Sequence, residues 1–155
     1  MDVAVSALDK AQRIGVQVNC LIFCLHNDKD VKLKIGNDNW SMNRRLNSLA
    51  RKVRGQRSDV PFIVNDLTCK KEDVEEMTFE IIKDVSRLLN IKSTQLILIM
   101  GSDNASNINK YIDTNMVICV NRPGYLKVVM KHPNLIIAER EFTEDISSTK
   151  IRNEP

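Results

Sequence analysis

Apolar residues along this chain fall into runs of two kinds, some recurring every three or four positions and others forming short continuous blocks. In residues 2–14, "DVAVSALDKAQRI", Val3, Leu8, Ala11 and Ile14 lie near helical spacing, and Gly15 is placed to close the helix. Residues 16–25, "VQVNCLIFCL", are too short and too rich in β-branched and aromatic side chains for a second helix, and predict a buried strand. The polar stretch 26–39, which contains Gly36, predicts a loop. Residues 40–54, "WSMNRRLNSLARKVR", predict a helix with Trp40, Leu46, Leu49 and Val53 towards one face and Gly55 at its end.

The alternation continues. "VPFIVND" (60–66) predicts a strand with Pro61 at its first position or on an edge. Residues 72–90 show the strongest helical period, through Val74, Met77, Ile81, Ile82, Val85, Leu88 and Leu89. "QLILIMGSD" (95–103) predicts a strand stopped by Gly101, "NMVICVNRPGY" (115–125) a strand running into a Pro-Gly turn, and "NLIIAEREF" (134–142) a last strand. "SSTKIR" then begins a final helix. Strand blocks that are apolar on both faces and separated by helices predict a parallel sheet covered on both faces. The expected fold class is therefore α/β, a Rossmann-like sandwich, as a single domain over residues 1–155. Ligands of such sheets bind beyond the carboxyl ends of the strands. That rule selects the positions after Leu25 and Val64, the Gly101–Asp103 turn and the Arg122–Gly124 turn.

Composition narrows the partners. The 155 residues carry a net charge of +3, with 43% apolar and 28% charged side chains. Such a mild surplus suits an anionic small molecule as well as a weak nucleic-acid contact. The densest basic stretch, Arg51, Lys52, Arg54 and Arg57, reads as the solvated end of a helix, so no nucleic-acid partner is expected. The four cysteines (Cys20, Cys24, Cys69, Cys119) show no metal-ligand spacing, and Cys20, Cys24 and Cys119 lie in apolar runs. They read as buried thiols of a reducing compartment. "CLIFCL" and "LILIM" are too short to span a bilayer, and no signal peptide opens the chain, so an intracellular location, cytoplasmic or nuclear, without a membrane partner is expected.

Three segments carry candidate chemistry. In "LIMGSD", Gly101 lets a backbone approach a ligand and Asp103 can accept hydrogen bonds from ribose hydroxyls; taken alone, these residues read first as a plain strand-to-helix turn capped by Asp103. In "NRPGY", Arg122 can fork onto phosphate or stack on a base, or can simply precede a surface turn. In "DISSTKIR", Ser147, Ser148 and Thr149 stand at a helix start, with Lys150 and Arg152 following. Such a start draws anions through its unpaired N–H groups, and a capped helix explains one of the hydroxyls but not three in succession.

"ISSTKIR", preceded in order by "NRRLNSLARKV", "MTFEIIKDV", "LILIMGSD" and "VICVNRPGY", resembles the nicotinamide mononucleotide (NMN) adenylyltransferases of the HxGH nucleotidylyltransferase superfamily, over roughly residues 16–153. The resemblance implies that ATP and NMN are the substrates, giving NAD and pyrophosphate, with a need for Mg²⁺; the sequence itself shows no separate magnesium motif, so the metal is expected on the ATP phosphates. It implies that Ser148, Thr149, Lys150 and Arg152 hold the ATP phosphates and that Gly101 and Asp103 hold the adenosine ribose. Arg122 would lie on the nucleotide side, Thr78 near the nicotinamide, and Lys32 or Lys34 near a substrate-facing lysine. Small-molecule nucleotides are thus the expected partners, with a homo-oligomer as a further possibility.

The chain departs from that family at two places. It contains neither G-x-F-x-P nor H-x-G-H, its two histidines, His26 and His132, read as loop residues, and Glu75 stands where many relatives carry a tryptophan. No catalytic residue is assigned, and the chain reads as an N-terminally truncated domain whose first central strand is missing. The neighbours of that strand would pair directly, accept a strand from another chain, or leave a poorly folded product. Two alternatives to the adenylyltransferase remain: a non-catalytic nucleotide-binding or partner-binding relative, and a nucleotidylyltransferase for another acceptor.

Overall fold

The computed structural model describes residues 2–35, 40–56 and 58–139. In chain order its elements are helix α1 (Asp2–Arg13), strand β1 (Leu21–Cys24), helices α2 (Asp28–Ile35) and α3 (Met42–Arg54), strand β2 (Phe62–Asn65), helix α4 (Met77–Leu89), strand β3 (Leu98–Gly101), the short helix α5 (Ile108–Tyr111), and strands β4 (Val117–Asn121) and β5 (Leu135–Glu139). Turns of 3₁₀ helix precede α4 (Thr68–Lys70), precede β3 (Ser93–Gln95) and follow β3 (Ser102–Asn107). The described residues divide into two compact units, one of residues 2–18 and 91–139, the other of residues 19–56 and 58–90. The fold is α/β with parallel sheets, as the apolar blocks predict.

In the first unit the sheet runs β3-β4-β5, with Met100 beside Cys119 and Cys119 beside Ile137. All five residues of the central strand, β4, are buried, which is why "VICVN" has no polar alternation. The small side chains Ala7 and Ala11 of α1 pack on Ile118, Val120 and Ala138, and Val16 and Val18 join the same cluster. Gly15, at φ +78, closes α1 in the left-handed conformation, and Val16 N–H donates to Ala11 O at 2.9 Å. The strand expected from Val16 therefore begins only at Leu21, because Val16 and Val18 are spent on closing and covering α1.

In the second unit β1 and β2 form a two-stranded parallel sheet, with Leu21 beside Phe62 and Cys24 beside Asn65. The Phe23 and Phe62 rings meet edge-on at 5.7 Å. Helix α3 packs on β2, capped at its start by Ser41, whose hydroxyl accepts from Arg44 N–H at 3.4 Å. Gly55 follows its last turn at φ −79, so this glycine ends the helix without using its freedom of conformation. Helix α4 buries Met77, Ile82 and Val85 and ends on Asn90 at φ +52.

Several boundaries differ from the sequence reading. The expected loop 26–39 contains α2, which starts because Asn27 Oδ1 accepts from Asp30 N–H at 2.7 Å and acidic residues occupy the first turn. The helix expected from residue 72 starts at Met77, since Glu76 is extended and Lys71 turns towards α4 rather than along it. Gln95 closes a 3₁₀ turn instead of opening a strand, and β4 stops at Asn121, before the Pro123–Gly124 turn. Of the cysteines, Cys69 and Cys119 are buried as expected, whereas Cys20 and Cys24 are only half-buried. Strand β1 pairs with β2 and β3 with β4, each pair within its own unit. The final helix expected at "SSTKIR" lies outside the described residues. No helix among the described residues is long and apolar enough to cross a membrane.

Candidate functional site

In the first unit the parallel register brings the carboxyl ends of β3 and β4 side by side, Gly101 next to Val120. The residues beyond those ends therefore meet. Arg122 N–H donates to the buried Ser102 hydroxyl at 3.0 Å, and Arg122 Nη1 lies 3.0 Å from Asp103 Oδ2. The two charged side chains are only 13% and 26% exposed, so this is a largely desolvated pair rather than a surface contact. A Cβ on Gly101 would stand 2.3 Å from Asp103 Oδ1 and 2.8 Å from Arg122 Cδ, so no larger residue fits while the pair is closed. The Arg122 guanidinium also sits 5.2 Å from the Tyr125 ring, on the turn made by Pro123 and Gly124 (φ +81).

Three residues singled out from the sequence, Gly101, Asp103 and Arg122, thus form one cluster. Asp103 does not serve as a simple helix cap; its carboxylate is directed to Arg122 and accepts from Asn104 Nδ2 at 3.3 Å. A carboxylate and a guanidinium at a strand-end turn supply acceptors for sugar hydroxyls and donors for phosphate oxygens. Ser102 was missed. The only signal for it is its position between Gly101 and Asp103.

In the second unit an open cavity of about 570 Å³ is lined by Asn27, Asp28, Lys32, Met42, Cys69 and Lys71, among others. Lys32 is therefore at a cavity. Lys34 lies in α2, and its side chain is outside the description. Thr78 occupies the first turn of α4 and is half-buried.

The walls of this cavity are braced by residues the sequence reading did not single out. Arg45 donates from Nη1 to His26 O (2.8 Å), from Nη2 to Asp28 Oδ1 (2.6 Å) and from Nε to Trp40 O (3.2 Å). Its hydrogen bond holds the Asp28 carboxyl below the usual carboxylate range. Asn27, buried, donates from Nδ2 to Lys71 O at 2.8 Å while capping α2. Lys71 Nζ reaches Glu80 Oε1 at 2.6 Å and Asp84 Oδ1 at 2.8 Å, and Thr68 Oγ1 donates to Asp84 Oδ2 at 2.9 Å. Burial pushes Asp84 up, but the hydrogen bonds from Lys71 and Thr68 and the Lys71 charge outweigh it, so its carboxyl titrates below the ordinary value. The same lysine lowers Glu80, and the two carboxylates raise Lys71.

The expected phosphate-binding residues Ser148, Thr149, Lys150 and Arg152 lie outside the described residues. Both histidines are loop residues, as the sequence suggests: His26 pairs with Asp30, and His132 Nδ1 accepts from Asn134 N–H at 3.1 Å.

A family model described as cytidylyltransferase-like matches residues 5–154. No curated protein and no solved structure matches the chain.

Proposed function

The chain belongs to the cytidylyltransferase-like family, within the HxGH nucleotidylyltransferase superfamily, and on that premise we propose that its substrates are ATP and nicotinamide mononucleotide, joined to give NAD and pyrophosphate. The observation that carries this reading is the Gly101–Asp103–Arg122 cluster at the carboxyl ends of two parallel strands. In the reaction an oxygen of the mononucleotide phosphate attacks the α-phosphorus of ATP, the bond to the bridging oxygen breaks, and pyrophosphate leaves. Chemistry of this kind rests on positioning and on stabilising charge.

In this reading Asp103 accepts hydrogen bonds from the adenosine ribose, the missing side chain at Gly101 leaves room for Asp103 and Arg122 at the strand end, and Arg122 meets phosphate charge. Binding exchanges part of the Arg122–Asp103 contact for contacts to the nucleotide. Lys32 or Lys34, with Thr78, takes the acceptor mononucleotide, and Ser148, Thr149, Lys150 and Arg152 take the ATP phosphates. The described residues hold no cluster of three or more His, Cys, Asp or Glu side chains suited to a metal ion. In this reading magnesium enters on the ATP phosphates and offsets their charge there.

A second reading, nucleotide or partner binding without turnover, is favoured by one observation: the sequence contains no H-x-G-H. Loss of a single preorganised donor costs about 10²–10³ in rate. The test is a coupled assay for NAD formed from ATP and the mononucleotide, run beside calorimetric titration of ATP, for the wild type and Asp103→Ala. NAD formation that disappears in the variant supports the adenylyltransferase. ATP binding without NAD moves the reading to the non-catalytic relative, or to a different acceptor if another mononucleotide is consumed. Absence of ATP binding by the folded wild type sinks the nucleotide reading altogether.

A further inference from the structure

The loop between β4 and β5 holds apolar side chains in water where the fold does not require them. Leu126 is 91% exposed and Val129 83%, and Tyr125 and Met130 are exposed beside them. Single surface leucines are ordinary; four apolar side chains within residues 125–130 make a patch. The loop is anchored rather than loose at its base. Val128 N–H donates to Asn121 Oδ1 at 3.0 Å, buried Asn121 donates from Nδ2 to Glu139 Oε1 at 3.1 Å, and Leu135 N–H donates to His132 O at 3.0 Å. These bonds fix the loop to the ends of β4 and β5 and leave Leu126 and Val129 presented outward.

The loop's own charged side chains are of one sign, and Arg122 among them is already paired to Asp103. Residues 122–134 contain Arg122, Lys127 and Lys131 and no Asp or Glu. Glu139 approaches Lys127 Nζ at 3.7 Å, but both side chains are largely exposed, and such a contact is weak in water. Apolar tips flanked by ammonium groups on flexible stems complement an anionic lipid surface: the tips enter the acyl boundary and the lysines remain among the headgroups. A second copy of this chain docking through the same patch would set these lysines against their own symmetry mates, which like-charge repulsion opposes.

We infer that the β4–β5 loop is a reversible contact for anionic membranes, with Leu126 and Val129 as the inserted residues and Lys127 and Lys131 as electrostatic anchors. The inference is independent of the nucleotide chemistry, since none of these four residues belongs to the candidate site. It is tested by cosedimentation of the full chain with vesicles of phosphatidylcholine, with and without phosphatidylserine. The wild type is expected to bind the phosphatidylserine vesicles selectively and to be released by salt. The double variant Leu126→Ser/Val129→Ser should bind about tenfold less, and Lys127→Glu/Lys131→Glu should lose a similar factor, both with the wild-type melting temperature. Equal behaviour towards the two vesicle types, or undiminished binding by the serine variant, overturns the inference. So does a lowered melting temperature of the serine variant, which would mean that the chain itself covers the patch. A wild-type dimer that the serine variant converts to monomer would assign the patch to a second copy and overturn it equally.

Discussion

Arg122 Nη1 stands 3.0 Å from Asp103 Oδ2, and the pair closes over Gly101 so tightly that the position has no room for a Cβ. The carboxylate and the guanidinium are 19 positions apart in sequence and meet because β3 and β4 are parallel neighbours in register. Their mutual dependence is measurable. In a double-mutant cycle of Asp103→Ala and Arg122→Ala, urea unfolding should return a coupling of about 1 kcal/mol or more, as for charges held together away from water. A coupling near zero would make the contact incidental.

Gly101→Ala should act on the same cluster from below. The added methyl meets Asp103 Oδ1 and Arg122 Cδ, so the ion pair must open or the strand end must shift. Overpacking of this kind costs about 1–3 kcal/mol. Thermal melting should show that loss, and ATP titration should show weakened binding because both ligand-facing side chains move. Unaltered ATP affinity in the folded variant would remove Gly101 from the site.

Arg45→Lys keeps the charge but cannot reproduce the three hydrogen bonds to His26 O, Asp28 Oδ1 and Trp40 O. The expected cost is about 1–3 kcal/mol, since hydrogen bonds with an ionised donor are the strong ones. Hydrogen exchange should accelerate in residues 26–32, where the turn after β1 and the start of α2 depend on that side chain. Exchange that speeds up only elsewhere would contradict the bracing role.

The Lys71–Glu80–Asp84 group sets a pH window. Asp84 and Glu80 titrate below their ordinary values of 3.8 and 4.5 in the folded chain, so their contribution is complete above those values and is lost as pH falls through the lower folded ones. Lys71 titrates above its ordinary 10.5, so its contribution is complete below that value and is lost as pH rises through the raised one. Melting temperature should therefore hold a plateau between about pH 5 and 10 for this group, and Lys71→Met should flatten both shoulders. Shoulders that persist in Lys71→Met would assign them to other residues. Thr68→Val, which removes the hydroxyl bonded to Asp84, should cost about 1 kcal/mol inside the plateau.

Helix α2 shows where local reading stops. Asn27, Asp28 and Asp30 ahead of Val31 are an N-terminal signal in plain view, yet the surrounding polarity points to a loop. What settles the helix is the buried Asn27 side chain, bonded on one side to Asp30 N–H and on the other to Lys71 O, a residue 44 positions away. Val16 and Val18 give the opposite case: their pattern suits a strand, but the cluster around Ala7 and Ala11 takes them as cover for α1. In both places a distant contact overrides a local preference.

By itself the sequence determined the element types of β2, α4, β3, β4 and β5 and the parallel α/β class, and it singled out Gly101, Asp103 and Arg122 as strand-end turn residues, because hydrophobic period and strand-end turns are written in consecutive residues. Only the tertiary structure decided that Arg122 would close on Asp103, that Arg45 and Lys71 would brace a cavity around Lys32, and that Leu126 and Val129 would stand in water. The physical reason is that periodicity says which face of an element is apolar but not which partner covers it. Pairing, register and exposure are settled by contacts between residues far apart in the chain.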